Sequence, residues 1–186
     1  MTVIAGLVEG DRIFMGGDSA SSNNDGDLVM RADQKVFRNG PFLIGFAGSW
    51  RMGQLLRYAF VPPKHPKRQD TYRFLVTTFI DAVRDCLRRG GFASKIHDVE
   101  EIDGVFLLGY RGRLFIVDAD YQVAEAIDGF LAIGSGGQIA QGALSATQGV
   151  DPKKRVRQAL EAAERYNTGV RRPFYVNVMD KEESSV

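Results

Sequence analysis

Strand-length apolar runs joined by two-residue turns govern two long stretches of this chain, and they limit what it can fold into. Thr2–Glu9 and Arg12–Asp18 flank Gly10-Asp11, a connection whose leading glycine suits a type II′ hairpin turn. Lys35–Arg38 and Phe42–Phe46 flank Asn39-Gly40, a second hairpin signal. Ser19–Arg31, lying between these hairpins, is polar and turn-rich and predicts an exposed loop. Helical signals follow at Trp50–Phe60, closed by Pro62-Pro63. A second helix is predicted over Thr71–Arg89, where Leu75, Phe79, Ile80, Val83 and Leu87 recur at three- and four-residue spacing before Gly90-Gly91. Strands return at Gly104–Tyr110, Leu114–Asp118, Gln122–Ile127 and Phe130–Ile133. Two more helices come next, Gly136–Thr147 and one opened by Asp151 as N-cap with Pro152 at its first position. A last strand, Pro173–Met179, leads into the charged tail Asp180–Val186. Hairpins alternating with helix pairs do not build a βαβ chain. They imply antiparallel sheets packed together and coated by helices, an α+β architecture in one domain over residues 1–186.

Charge and composition exclude several classes of function. The formal net charge is +1, so no global field points to nucleic acid or to a membrane. The basic run Lys64-His65-Pro66-Lys67-Arg68 lacks interleaved aromatics and reads as a solvated loop or a contact with a neighbouring subunit. The apolar stretches are too short to cross a bilayer, and the N-terminus lacks the basic and long apolar regions of a signal peptide. The single cysteine, Cys86, forms no internal disulfide and fits a reducing cytoplasm. It neighbours the apolar stripe of its helix and reads as a core thiol. His65 and His97 have no partners at metal-ligand spacing and read as surface residues. Phe42, Phe46, Phe74 and Phe79 lie at core spacing.

Thr2 carries the chemical interest. With Met1 removed, it holds a hydroxyl and a free α-amine on one residue. That amine has an unperturbed pKa of roughly 7.7–8.0, near ideal for a general base at neutral pH. A threonine activated by its own amine is a route to covalent acyl chemistry. Asp18 ends the strand paired with the Thr2 strand and lies near the level of Thr2. Lys35 begins the next strand, where an ammonium stabilises a developing alkoxide or depresses the pKa of an amine. Ile44-Gly45-Phe46-Ala47-Gly48-Ser49 places glycine amides at a strand end, where N–H groups can form an oxyanion hole. Gly134-Ser135-Gly136-Gly137 lacks the lysine of a phosphate-binding loop, and its Ser135 can instead reach the Thr2 amine.

Together these segments resemble the proteasome-like family of N-terminal nucleophile hydrolases, and within it the HslV-type bacterial subunits. The resemblance rests on Thr2, Ile13-Phe14-Met15-Gly16-Gly17-Asp18-Ser19, Asp33-Gln34-Lys35-Val36, Ile44-Gly45-Phe46-Ala47-Gly48 and Ala132-Ile133-Gly134-Ser135-Gly136-Gly137. It implies a four-layer αββα sandwich with the active site at one end of two antiparallel sheets. It implies Thr2 as nucleophile and base, Lys35 tuning it, Asp18 orienting Lys35, the Gly45 N–H in an oxyanion hole, and Ser135 supporting the amine. The reaction implied is peptide hydrolysis through an acyl-enzyme ester, with no cofactor required. A monovalent cation on the carbonyls of Ala162, Arg165 and Thr168 is implied by the same resemblance, and Thr168 stands where the family has a serine. A homo-oligomeric ring acting on unfolded protein or peptides, fed by an ATP-dependent unfoldase, completes the expectation. The rival readings are a non-catalytic proteasome-like structural subunit and a small-molecule amidase built on the same Thr2 machinery.

Overall fold

The computed structural model describes residues 1–22, 27–92, 94–96 and 99–181. Two antiparallel sheets form its centre. The first is four-stranded, in the order β12 (Phe130–Ile133), β1 (Ile4–Glu9), β2 (Arg12–Gly17) and β13 (Tyr175–Asp180). The second is five-stranded, in the order β11 (Val123–Glu125), β10 (Arg113–Val117), β9 (Gly104–Tyr110), β6 (Phe42–Gly48) and β5 (Val36–Asn39). Helices α4 (Gly137–Ala146) and α5 (Pro152–Tyr166) cover the first sheet. Helix α1 (Trp50–Tyr58) and a helical run comprising α2 (Thr71–Phe74), a π-helical turn (Leu75–Phe79) and α3 (Ile80–Arg89) cover the second.

The four layers follow from the two-residue period of a strand. In the first sheet Val3, Ala5 and Leu7 pack with Ala140, Leu144, Val156 and Leu160 of the helices. Ile4 between them faces the other sheet, meeting Ile13, Met15, Val36, Leu43, Leu107 and Leu114. In β6, Phe42, Ile44 and Phe46 join Met52, Leu56, Phe79 and Val83 of the outer helices. Leu43 and Ala47 point inward. A strand buried on both faces reads as a continuous apolar run, which is how β1 and β6 appear in the sequence.

The hairpin at Gly10-Asp11 forms with Glu9 opposite Arg12 and Gly10 at φ +59°. The next hairpin turns one residue later than its sequence suggests. Asn39 pairs with Phe42, so Gly40-Pro41 make the turn, with Gly40 at φ +54°. The expected loop over Ser19–Arg31 contains a small antiparallel pair, β3 (Ala20–Ser22) and β4 (Leu28–Met30). A second small pair, β7 (Ser94–Ile96) and β8 (Val99–Glu101), has no counterpart in the sequence reading. Asp151 caps α5 as expected, accepting from the Lys154 N–H at 2.9 Å. Of the charged tail, residues 182–186 lie outside the described residues, as does His97.

Cys86 is buried, its thiol directed at the Leu55 carbonyl, and burial raises its pKa. His65 is not the free surface residue its isolation in the sequence suggests. Its ring stacks on Phe74 at 4.3 Å, and its two nitrogens meet the Tyr110 hydroxyl and the Gln69 carbonyl, each at 2.9 Å. It pins the proline-rich connection to the outer helix layer. No helix among the described residues is long and apolar enough to cross a membrane.

Candidate active site

The β1–β2 hairpin brings Asp18 to the N-terminal segment. Ile4 pairs with Gly17, and one step further the Asp18 N–H donates to the Val3 carbonyl at 3.3 Å. The carboxylate then turns back on the same segment. Its Oδ1 accepts from the Val3 N–H at 3.0 Å and from Lys35 Nζ at 2.6 Å. Its Oδ2 accepts from the Ala20 N–H at 3.1 Å and the Arg171 N–H at 3.3 Å. Four donors on one carboxylate explain how an acid whose side chain has no solvent exposure remains in place.

Lys35 is the partner, with its side chain 1% exposed. Burial lowers its pKa from the ordinary lysine value, Asp18 opposes that shift, and the Arg31 charge adds to it. Trp50, opening α1, lies over both cations, its ring 5.7 Å from Lys35 Nζ and 3.9 Å from the Arg31 guanidinium. Arg31 in turn holds Asp33 through two bonds of 2.8 and 2.6 Å. That contact keeps the Asp33 carboxyl below its usual pKa.

The pairing of β12 with β1, Ile133 opposite Ile4, delivers the turn at Gly134-Ser135-Gly136 to Thr2. The Thr2 N–H donates to Ser135 Oγ at 3.1 Å, and the Gly136 N–H donates to the Thr2 carbonyl at 3.1 Å. Gly134 has φ +88°, and a Cβ there would stand 2.4 Å from the Thr2 carbonyl oxygen, so only glycine fits. Thr2 is buried, and its hydroxyl donates to the Met1 carbonyl at 2.6 Å. Thr2, Asp18, Lys35 and Ser135 therefore meet in one place.

Gly45 does not join them in the expected way. The Phe46 N–H donates to the Lys35 carbonyl at 3.2 Å, and amide direction alternates along a strand. The Gly45 N–H consequently points the other way, into the ladder with β9 opposite Leu107. The same alternation turns the Gly48 N–H toward the β5 side, beyond the Lys35 rung where that ladder stops. Gly48 sits at φ +113°. Its neighbour Ala47 lies 3.3 Å from where a Cβ on Gly134 would stand, beside Thr2. Gly48, not Gly45, presents the strand-end amide.

Asn167, directly after α5, was not singled out by the sequence. Its Nδ2 donates to the Ser135 carbonyl at 2.9 Å, and its Oδ1 accepts from the Gly169 N–H at 3.0 Å and from Ser135 Oγ at 3.4 Å. Asn167, rather than the neighbouring Thr168, reaches Ser135. A polar residue at a helix C-terminus is a weak signal by itself. The carbonyls of Ala162, Arg165 and Thr168 belong to the same region, and helix geometry already engages the first of them. Ala162 lies inside α5, four residues before its last residue, so its carbonyl faces the Tyr166 N–H of the helical ladder. A guanidinium, that of Arg171, already bonds the turn beyond.

No family profile matches the chain. A curated relative, the ATP-dependent protease subunit HslV of Caldicellulosiruptor saccharolyticus, is 24% identical over 168 residues, covering 87% of this chain and 89% of that protein. Among solved structures, Thiobacillus denitrificans BPH superposes with a TM-score of 0.80 at 22% identity, covering 96% of this chain and 98% of that one. The same protein has been solved in complex with epoxomicin. Eukaryotic HslV from Trypanosoma brucei superposes with a TM-score of 0.68 at 21% identity, covering 96% of this chain and 99% of that one. The chain has the HslV and proteasome-like N-terminal nucleophile hydrolase fold, and these relatives support the family resemblance carried by its motifs.

Proposed function

We propose that this chain is a threonine peptidase subunit, active once Met1 is removed. Asp18 carries the reading, because a single carboxylate oxygen holds both the amide beside Thr2 and the Lys35 ammonium. In the processed protein, the Thr2 hydroxyl attacks a peptide carbonyl and passes its proton to the α-amine of the same residue. Ser135, itself braced by Asn167, holds that amine, as its contact with the Thr2 nitrogen indicates. Lys35 supplies positive charge to the developing alkoxide. The Gly48 N–H faces the oxyanion, a contribution typically worth about 10²–10³ in rate. Collapse of the tetrahedral intermediate breaks the C–N bond, and the α-ammonium protonates the departing amine. The acyl group remains as an ester on Thr2 until water, deprotonated by the same amine, releases it.

The HslV relative is named as a subunit of an ATP-dependent protease, which supports a homo-oligomeric ring and an ATP-driven unfoldase as partners for this chain. The substrate class is then unfolded protein or peptide. Two measurements test the reading. Intact mass of the purified protein is expected to lack one methionine, and Thr2→Ala is expected to abolish release of fluorescent peptides from labelled casein while keeping its thermal midpoint. Full retention of Met1, together with unchanged turnover in Thr2→Ala, rejects it.

A further inference from the structure

The turn after α5 is held by a cation that belongs to the chain. Arg171 folds its side chain back on its own turn, where Nη1 donates to the Val170 carbonyl at 2.7 Å and the Asn167 carbonyl at 3.4 Å. Its backbone is fastened elsewhere. The Arg171 N–H donates to Asp18 Oδ2, and its carbonyl accepts from the Ser19 N–H at 3.1 Å. The carbonyl end of a helix attracts positive charge, and α5 ends among Arg165, Arg171 and Arg172. Arg172 is matched to Glu164, whose pKa is lowered by Arg172 first and also by Arg171. A free sodium or potassium ion in this region would need unpaired carbonyls and would stand against these guanidinium groups.

We propose that the Arg171 guanidinium takes the place of a free monovalent cation at this turn, so that the site is organised without one. The turn matters because Asn167 reaches from it to Ser135, and Ser135 meets the Thr2 nitrogen. Arg171 is thus a positioning residue, its guanidinium acting through the turn that carries Asn167, while its backbone N–H is fastened to Asp18. Only the turnover arm of the test below rests on the peptidase reading, so the two can fail separately.

The test uses the full chain as purified. At equal ionic strength, the thermal midpoint of the wild type is expected to be the same in choline chloride and potassium chloride. Crystals soaked in thallous acetate are expected to show no anomalous peak at the carbonyls of residues 162, 165 and 168. Arg171→Met is expected to lower the midpoint and reduce casein turnover, the latter on the order of 10²-fold if Ser135 shifts by about 1 Å. Low concentrations of guanidinium chloride or potassium chloride are expected to restore part of both losses, and Arg171→Lys to retain most of the wild-type behaviour. A potassium-specific rise in the wild-type midpoint, or a thallium peak on those carbonyls, overturns the proposal. So does an Arg171→Met protein that matches wild type, or one whose losses no cation restores. If Arg171→Met does not fold, the two wild-type measurements decide alone.

Discussion

Asp18 and Lys35 form a buried ion pair whose two halves are not equivalent. Asp18 accepts from three backbone N–H groups besides the lysine, whereas Lys35 relies on Asp18 and is repelled by Arg31. Lys35→Met removes one charge-assisted bond and also the desolvation cost of the ammonium, leaving a carboxylate that keeps three donors. The net loss is about 1–2 kcal/mol. Asp18→Ala strands the ammonium, at about 3–5 kcal/mol for an unpaired buried charge, and orphans donors at about 1–3 kcal/mol each. Even with Lys35 deprotonating to relieve part of this, the total is about 5 kcal/mol or more, comparable with the whole stability of many domains. At roughly 2–4 °C per kcal/mol for a chain of this size, Lys35→Met is expected to melt about 2–8 °C below wild type. Asp18→Ala is expected to melt at least about 10 °C lower or to fail to fold. Circular dichroism melts at matched protein concentration give the comparison, since any self-association would make midpoints concentration-dependent. If Lys35→Met proves as damaging as Asp18→Ala, the assignment of Asp18 as the hub is wrong.

Gly134→Ala is expected to cost casein turnover and stability together, because its Cβ would stand 2.4 Å from the Thr2 carbonyl oxygen on a backbone at φ +88°; a melt and a turnover assay on one preparation check this. The lowered pKa of Lys35 sets the sign of a pH effect. Between that folded-state value and the ordinary value of 10.5, the unfolded chain binds more protons, so the penalty for burying this ammonium fades and stability rises with pH. Chemical denaturation across the alkaline range is expected to show that rising contribution in wild type and its absence in Lys35→Met.

Much of this arrangement is legible in the residues because strand period and turn chemistry are local. Gly10 marks its hairpin, and the alternation of Val3, Ile4 and Ala5 between two apolar layers needs no distant information once two sheets are assumed. Thr2, Asp18, Lys35 and Ser135 could be grouped because each sits at a strand or turn boundary of a recognisable motif. The direction of the Gly45 amide is not legible because it depends on ladder registry, which is fixed by Val36 of β5 lying opposite Gly45 and so setting Lys35 against Phe46. Asn167 carries no sequence signal because its contact with Ser135 spans 32 positions and has no periodicity behind it. His65 looked free for a similar reason, since Phe74 and Tyr110 reach it only through the tertiary fold.

The π-helical turn at Leu75–Phe79 bears on how this chain is compared with others. Such a turn accommodates one residue more than an α turn, and the apolar side chains at its two ends, Phe74 and Leu75 at the start and Phe79 and Ile80 at the finish, are all buried. A single surplus codon is thereby absorbed within a helix interior instead of a loop. Against a relative whose helix is α throughout, a correct alignment opens its gap between Phe74 and Ile80. Without that gap every later position of the helix, Cys86 included, is matched to a neighbour rotated by about 100°.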